Sequence, residues 1–151
     1  MDENEIHSLL SDCPLYGGTF ASDELPENPR VPIAFVVNTD PSSLPGTHWQ
    51  VVHLLGNGKA EFYDSFGFPP DEDNISNYLE RYVSEWEYSS MSAQHPVLAS
   101  CGMFCINFIR CRSAGLSYSD FLDQFSFNQL ENEDLIVSYG RRMNLVASKT
   151  H

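Results

Sequence analysis

The sequence is poor in positive charge. Lys and Arg number 8 against 21 Asp and Glu, a formal charge of -13, and the acids run from Asp2 to Asp134 instead of gathering in one tail. A surface of that sign repels phosphate backbones and anionic membranes, so nucleic-acid binding is not expected, and a basic partner or substrate segment is the natural complement. Long apolar runs are also missing. None approaches the roughly 20 residues that span a bilayer, and no membrane association is expected. Met1 is followed by Asp2-Glu3-Asn4-Glu5, the opposite of the basic start of a secretory leader. The four cysteines, at 13, 101, 105 and 111, show no repeated pairing of positions. That argues against a structural zinc site and, with no leader, for free thiols in a reducing intracellular compartment, cytoplasm or nucleus. Repeats, low-complexity segments and linkers are absent. Residues 1–151 are expected to form a single, monomeric domain, whose core 42% hydrophobic and 13% aromatic content can fill.

The elements follow from local pattern. Glu3 to Leu10 has an acidic first turn and Ile6, Leu9 and Leu10 at helical spacing. Gly17-Gly18 and the stretch from Pro26 to Pro32 read as irregular connection. Ile33 to Val37 is a continuous β-prone run that suits a strand buried on both faces. Two further β-prone runs, His48 to Leu55 and Ala60 to Tyr63, flank Asn57-Gly58, a pair suited to a type I′ hairpin because both central positions need positive φ. Antiparallel pairing then returns Asp64 to the neighbourhood of His48. Ser76 to Tyr88 reads as a helix with Leu79, Tyr82, Val83 and Trp86 on one apolar face. Ser119 to Phe125 and Asn128 to Arg142 read as two more helices, the second capped by Asn128 and ended by Arg141 and Arg142, whose charge suits the dipole there. One α+β domain accounts for all of these.

The chemistry centres on Gln94 to Cys105. Cys101 is followed by Gly102 and an apolar run from Met103 to Ile109, which places the thiol at the start of a buried helix, where the dipole and unpaired N–H groups favour thiolate. The same pattern also suits Cys101 and Cys105 as small apolar residues one turn apart on a core helix. Thiol-based acyl transfer needs a nucleophile, a base, a group that orients the base, and oxyanion donors. Cys101, His48, Asp64 and Gln94 can fill those roles, with the Cys101 backbone N–H beside the Gln94 amide. Rival bases are few: His95 adjoins Gln94, His53 lies within the strand that His48 starts, and His7 and His151 lie near the ends. Each residue also has an ordinary explanation, and spacing leaves the two readings even.

Three motifs in order add to this: Gly46-Thr47-His48-Trp49, Tyr63-Asp64-Ser65-Phe66-Gly67-Phe68, and Gln94 seven residues before Cys101-Gly102-Met103-Phe104-Cys105. Together they resemble the adenovirus-type maturation protease, adenain, and more broadly the ubiquitin-like-protein protease clan, whose order is His, Asp or Glu, Gln, Cys. The likeness extends upstream through Leu15 to Phe20 and Ile33 to Thr39. It implies a small mixed β-sheet whose His48/Asp64 hairpin packs against helices, with the nucleophile at the N-terminus of a central buried helix. It also implies that His48 is the base, Asp64 its orienting acid, Gln94 the oxyanion donor and Cys101 the nucleophile, in a thiol endopeptidase. Trp49, with Gly46 and Gly102, would line a narrow cleft for glycine-containing substrate backbones.

The implied substrates are viral or virus-like capsid and core precursors with glycine-containing sites, and the enzyme would be packaged in virions or stay within the host cell. Asp64, in its Tyr-Asp-Ser setting, is closer to the SUMO-protease branch, so removal of SUMO-, NEDD8- or ubiquitin-like modifiers is the alternative. A non-catalytic binding module on the same fold is a third. No cysteine lies between Asp64 and Cys101, so an activating peptide, if one is used, is not disulfide-linked in the adenovirus manner. Neither that peptide nor DNA is carried over as a cofactor.

Overall fold

Alternation along one strand divides the molecule into two apolar layers. In β2 (Ile33–Asn38), Ala34 and Val36 point to one face and Phe35 and Val37 to the other, and all four are buried. The computed structural model describes residues 1–149, with side-chain detail as far as Met143; His151 lies outside the described residues. Five strands form one sheet in sequence order: β1 (Tyr16–Phe20), β2, β3 (Trp49–Gly56), β4 (Lys59–Tyr63) and β5 (Glu85–Tyr88). The outer pairs β1/β2 and β4/β5 are parallel and the inner pairs antiparallel, so the sheet is mixed. Asn57 and Gly58, at φ 54 and 73, make the β3–β4 turn as the Asn-Gly pair predicts.

On one face lies α3 (Cys101–Ser113), with α1 (Glu3–Leu10), α4 (Tyr118–Asp123) and α5 (Gln129–Lys149) around it. All of α3 from Cys101 to Ile109 except Met103 is buried, and Phe108 stacks on Tyr63 of β4 at 5.5 Å between ring centroids. Its far end is pinned by charge: Arg112 donates to Glu61 Oε1 and Oε2 at 2.9 and 3.1 Å, and His53 pairs with Glu61 at 2.8 Å. A buried carboxylate with both oxygens paired on two elements fixes how the helix lies on the hairpin. On the opposite face α2 (Asp73–Tyr82) buries Ile75, Tyr78 and Leu79 against Phe35, Val52 and Phe62.

The structure corrects several expectations. Gly17 and Gly18 lie in β1, not in an irregular connection. Gly17 is there because an added Cβ would fall 2.4 Å from Ile33 side-chain atoms, and Gly18 sits at φ +126. Helix α2 stops at Tyr82 and does not run to Tyr88. Val83 is already extended, Ser84 and Glu85 both donate to Gly58 O at 2.8 and 3.2 Å, and the chain then pairs with the open edge of β4. An unpaired sheet edge outweighs the helical spacing of Val83 and Trp86, and Trp86 is 38% exposed instead of core. Helix α4 is Tyr118–Asp123, opened by a reciprocal Ser117/Asp120 capping box. Asn128 caps α5 as expected, accepting from Leu130 and Glu131 N–H at 3.1 and 3.3 Å. Since α5 continues to Lys149, Arg141 and Arg142 sit within the helix and do not complement its C-terminal dipole.

Candidate active site

His48 is delivered by a loop that the end of β2 shapes. Asn38 Oδ1 accepts from Asp40 N and Thr47 N at 2.9 and 3.3 Å, and Thr39 N–H donates to His48 O at 3.0 Å. Gly46, at φ +91, makes the loop feasible, since a Cβ there would meet Asn38 Nδ2 at 2.8 Å. The hairpin brings Asp64 back to His48, with Nε2 to Oδ2 at 2.9 Å. Asp64 is buried and fully engaged: Oδ2 also accepts from Gln50 Nε2 at 2.6 Å and Oδ1 from Phe66 N at 2.7 Å. The Phe66 ring covers His48, with centroids 4.9 Å apart and planes 22° from parallel.

Cys101 is the first residue of α3 and 9% exposed. Burial opposes its ionisation, but the nearby His48 side chain and the backbone N–H groups of Trp49 and Gly102 outweigh it and lower the thiol pKa from 9.0. Burial likewise opposes a charged His48. Its bonds to Asp64 and Cys101, with their charges, prevail and raise it from 6.5 to about 9. Asp64 is held below 3.8, since His48, Gln50 and the Phe66 N–H overcome its desolvation. Both shifts run in the direction of a Cys101 thiolate paired with a His48 imidazolium that Asp64 holds.

The other candidates separate cleanly. Cys105, one turn along the same helix, is fully buried and pushed well above 9.0 by desolvation, and burial also raises Cys13 and Cys111. All four cysteines are free. His95 Nδ1 accepts from Val97 N at 3.3 Å, His53 is committed to Glu61, and His7 Nδ1 meets Tyr16 OH at 3.2 Å. Gln94 is buried between two partners: its Oε1 accepts from Ser65 Oγ and its Nε2 donates to Leu98 O. The second N–H of that amide remains for another acceptor. Sequence reading passed over Gln50, Ser65 and Phe66. The last two adjoin Asp64 in the chain, whereas Gln50 is linked to it only by the pairing of β3 with β4.

A cleft of about 880 Å³ leads to Cys101, with Gly46, Trp49 and Gly102 along it. Asp2, Glu3, Glu5, Glu24 and Asp40 also line it, with no Lys or Arg among its lining residues. Met1 reaches into the cleft: Trp49 Nε1 donates to its carbonyl at 3.0 Å, and a Cβ on Gly102 would lie 3.0 Å from its Sδ. Met1 and Trp49 therefore crowd the cleft at Gly102, next to the thiol. Among the described residues no cluster of three or more His, Cys, Asp or Glu side chains could hold a metal ion, and no helix is long and apolar enough to cross a membrane.

No protein-family model and no curated protein matches the chain. Among solved structures it is similar in fold, over 98% of both chains, to the central domain of the uncharacterized Lpg1148 protein from Legionella pneumophila, at TM-score 0.58 and 14% identity. Two structures of the ASFV pS273R protease are partial neighbours. The selenomethionine form matches at TM-score 0.41 and 23% identity over 64% of this chain and 40% of that one. The other matches at 0.39 and 24% over 60% and 36%. The chain thus spans about 40% of the length of the pS273R protease. What is shared along the whole chain is a fold.

Proposed function

We propose that the protein is a cysteine endopeptidase of the adenain type, cutting glycine-containing sites in viral or virus-like capsid or core precursors within a reducing host-cell compartment. The observation that carries this is geometric: Asp64 holds the His48 ring, Nε2 to Oδ2 at 2.9 Å, and Cys101 opens the buried helix α3 beside the cleft. Of the four thiols only Cys101 has its pKa lowered, and its partner His48 is raised to about 9 by Asp64 and by Cys101 itself.

In the proposed reaction the Cys101 thiolate attacks the scissile carbonyl carbon. An S–C bond forms and the carbonyl π pair moves to oxygen, toward the Cys101 backbone N–H and the free N–H of Gln94. As the oxyanion collapses the C–N bond breaks, and the amine leaves with the proton of His48. Neutral His48 then takes a proton from water, whose oxygen attacks the thioester, and the C–S bond breaks to restore the thiolate. Asp64 orients the ring and stays ionised throughout. The narrow passage past Trp49, Gly102 and Met1 favours residues without side chains beside the cut, and the acidic walls favour basic flanks.

Wild type and Cys101→Ala are compared on Gly-Gly-type peptides, candidate polyproteins and SUMO-, NEDD8- and ubiquitin-like probes bearing C-terminal electrophiles. Peptide or polyprotein cleavage by wild type, lost in Cys101→Ala, is expected. A wild type that cleaves none of them and resists thiol alkylation at neutral pH would end this reading. Rapid labelling by a modifier probe without endopeptidase activity would replace it with deconjugation, which the Tyr63-Asp64-Ser65 setting favours.

A further inference from the structure

Between Gln94 and Cys101 the chain makes a loop, and the two groups proposed to meet the oxyanion stand at its ends. One atom ties those ends together. The His95 N–H donates to Glu133 Oε1 at 2.9 Å, and the Ser100 hydroxyl donates to the same oxygen at 2.8 Å. Glu133 is 6% exposed although it comes from α5, more than 30 residues along the chain.

Its neighbours on that helix face act on the same segment. Gln129 Nε2 donates to Ser92 O at 3.1 Å, and Asn132 Nδ2 to Ala93 O at 3.1 Å. Positions 129, 132 and 133 share one side of a helix. From the other direction Ser65 O accepts from Ala93 N and Gln94 N at 2.9 and 3.0 Å, and the Ser65 hydroxyl holds Gln94 Oε1. Gln94 is thus gripped between the β4 exit and α5. Within the loop a turn, Leu98 N–H to His95 O at 3.2 Å, and the Gln94 amide on Leu98 O stop short of Ser100, and Ser100 makes no side-chain cap on α3. The Ser100 hydroxyl is turned instead to Glu133.

We propose that Glu133 is a positioning residue for acyl transfer at Cys101, its carboxylate oxygen setting the distance between the Gln94 amide and the Cys101 backbone N–H. It touches neither thiol nor substrate and acts through the loop. The inference rests on the peptidase reading above. Its loss leaves a half-buried N–H and a hydroxyl without their acceptor and lets the loop ends separate. A misplacement of about 1 Å in such a site costs on the order of 100-fold in rate.

The test separates positioning from packing. Alkylation of Cys101 by iodoacetamide displaces iodide at a saturated carbon: an S–C bond forms, iodide leaves, and no oxyanion develops. It reads the thiolate alone. Glu133→Ala is expected to lower kcat on a glycine-containing peptide by about 100-fold with KM within about threefold of wild type. The alkylation rate and its pH profile should be unchanged. Glu133→Gln, whose amide oxygen can accept both bonds, should recover most of kcat. Should Glu133→Ala fail to fold, Ser100→Ala removes one donor and should lower kcat about 10-fold with alkylation intact. Wild-type kcat in Glu133→Ala would overturn the proposal. So would loss of alkylation in step with kcat, or a Gln variant as slow as Ala. A wild type that alkylates at Cys101 yet cleaves no substrate would instead overturn the peptidase reading, and the positioning role with it.

Discussion

Asp64→Asn offers the sharpest probe of the ion pair. The carboxylate accepts three hydrogen bonds, two at Oδ2 from His48 and Gln50 and one at Oδ1 from Phe66 N. Asparagine has one acceptor oxygen. If that oxygen faces His48 and Gln50, the new amide NH2 opposes the Phe66 N–H; if it is turned, the NH2 opposes the other two donors. Either arrangement leaves a buried donor unpaired, at about 1–3 kcal/mol of stability. The electrostatic effect is separate. His48 stands at about 9, against 6.5 for a free ring, with Asp64 and Cys101 both raising it. Each pKa unit lost is about 1.4 kcal/mol withdrawn from the imidazolium. The His48 side chain is in turn foremost among the groups that lower the Cys101 pKa. Removing the carboxylate should move the acid limb of Cys101 alkylation to higher pH by about one to two units, a roughly 10- to 100-fold slower reaction on that limb. The assay is iodoacetamide labelling from pH 4 to 10, followed by intact mass, with thermal unfolding run in parallel. An unchanged alkylation profile in a folded Asp64→Asn protein would refute the coupling between carboxylate, imidazole and thiol.

Two raised or lowered groups give wild type its pH limits. His48, raised to about 9, keeps its proton until the pH passes that value, and Cys101, lowered from 9.0, keeps its charge until the pH falls through its own pKa. Peptidase activity should fall on the alkaline side near pH 9 as His48 loses the proton it gives to the leaving amine. The stability that His48 protonation adds is complete below pH 6.5 and fades through about 9. A pH–rate profile and melting temperatures across that window check both, and an alkaline limb near 6.5 would contradict the raised histidine. Gly102→Ala should stabilise the helix by up to about 1 kcal/mol, since Met1 Sδ is a movable neighbour, yet lower kcat/KM on glycine-containing peptides about 10-fold or more by narrowing the cleft. Full activity in that variant would refute the narrow-cleft specificity. Glu24→Lys with Asp40→Lys leaves three acids and adds two bases along the cleft, and should raise KM for basic-flanked peptides more than for neutral ones, an effect that added salt should shrink.

How much was legible varied with the range of the forces involved. The β3–β4 hairpin was readable because Asn57-Gly58 imposes its own backbone angles. The start of α3 was readable from an apolar run long enough to be buried. Strand β5 was not: Leu79, Tyr82, Val83 and Trp86 keep a helical period, and the competing attraction, the Gly58 carbonyl and the free edge of β4, lies over 20 residues upstream. The glycines of β1 looked like a loop because only the closeness of Ile33 explains the missing side chain. Around the candidate site, the hairpin was enough to expect Asp64 beside His48, and the apolar run to expect Cys101 at a helix start, while their roles came only from the family resemblance. Gln50, Ser65 and Glu133 could not be named in advance, because their roles exist only as hydrogen bonds between elements.

The two cysteines of α3 mark the division most clearly. Residue type and the apolar run after Gly102 suffice to put Cys101 and Cys105 on one helix, one turn apart. That pattern puts Cys101 at the helix start, where the dipole favours thiolate, but it carries neither the burial that opposes the charge nor the partner that offsets it. Packing supplies both: it closes apolar surroundings on Cys105 and raises its pKa, while it turns Cys101 toward an imidazolium and two backbone N–H groups and lowers its own. Helix formation depends on neighbours a few residues away, whereas the charge on a thiol depends on every dipole and void within several ångströms, and those arrive from β3, β4 and α3 only when the chain has folded.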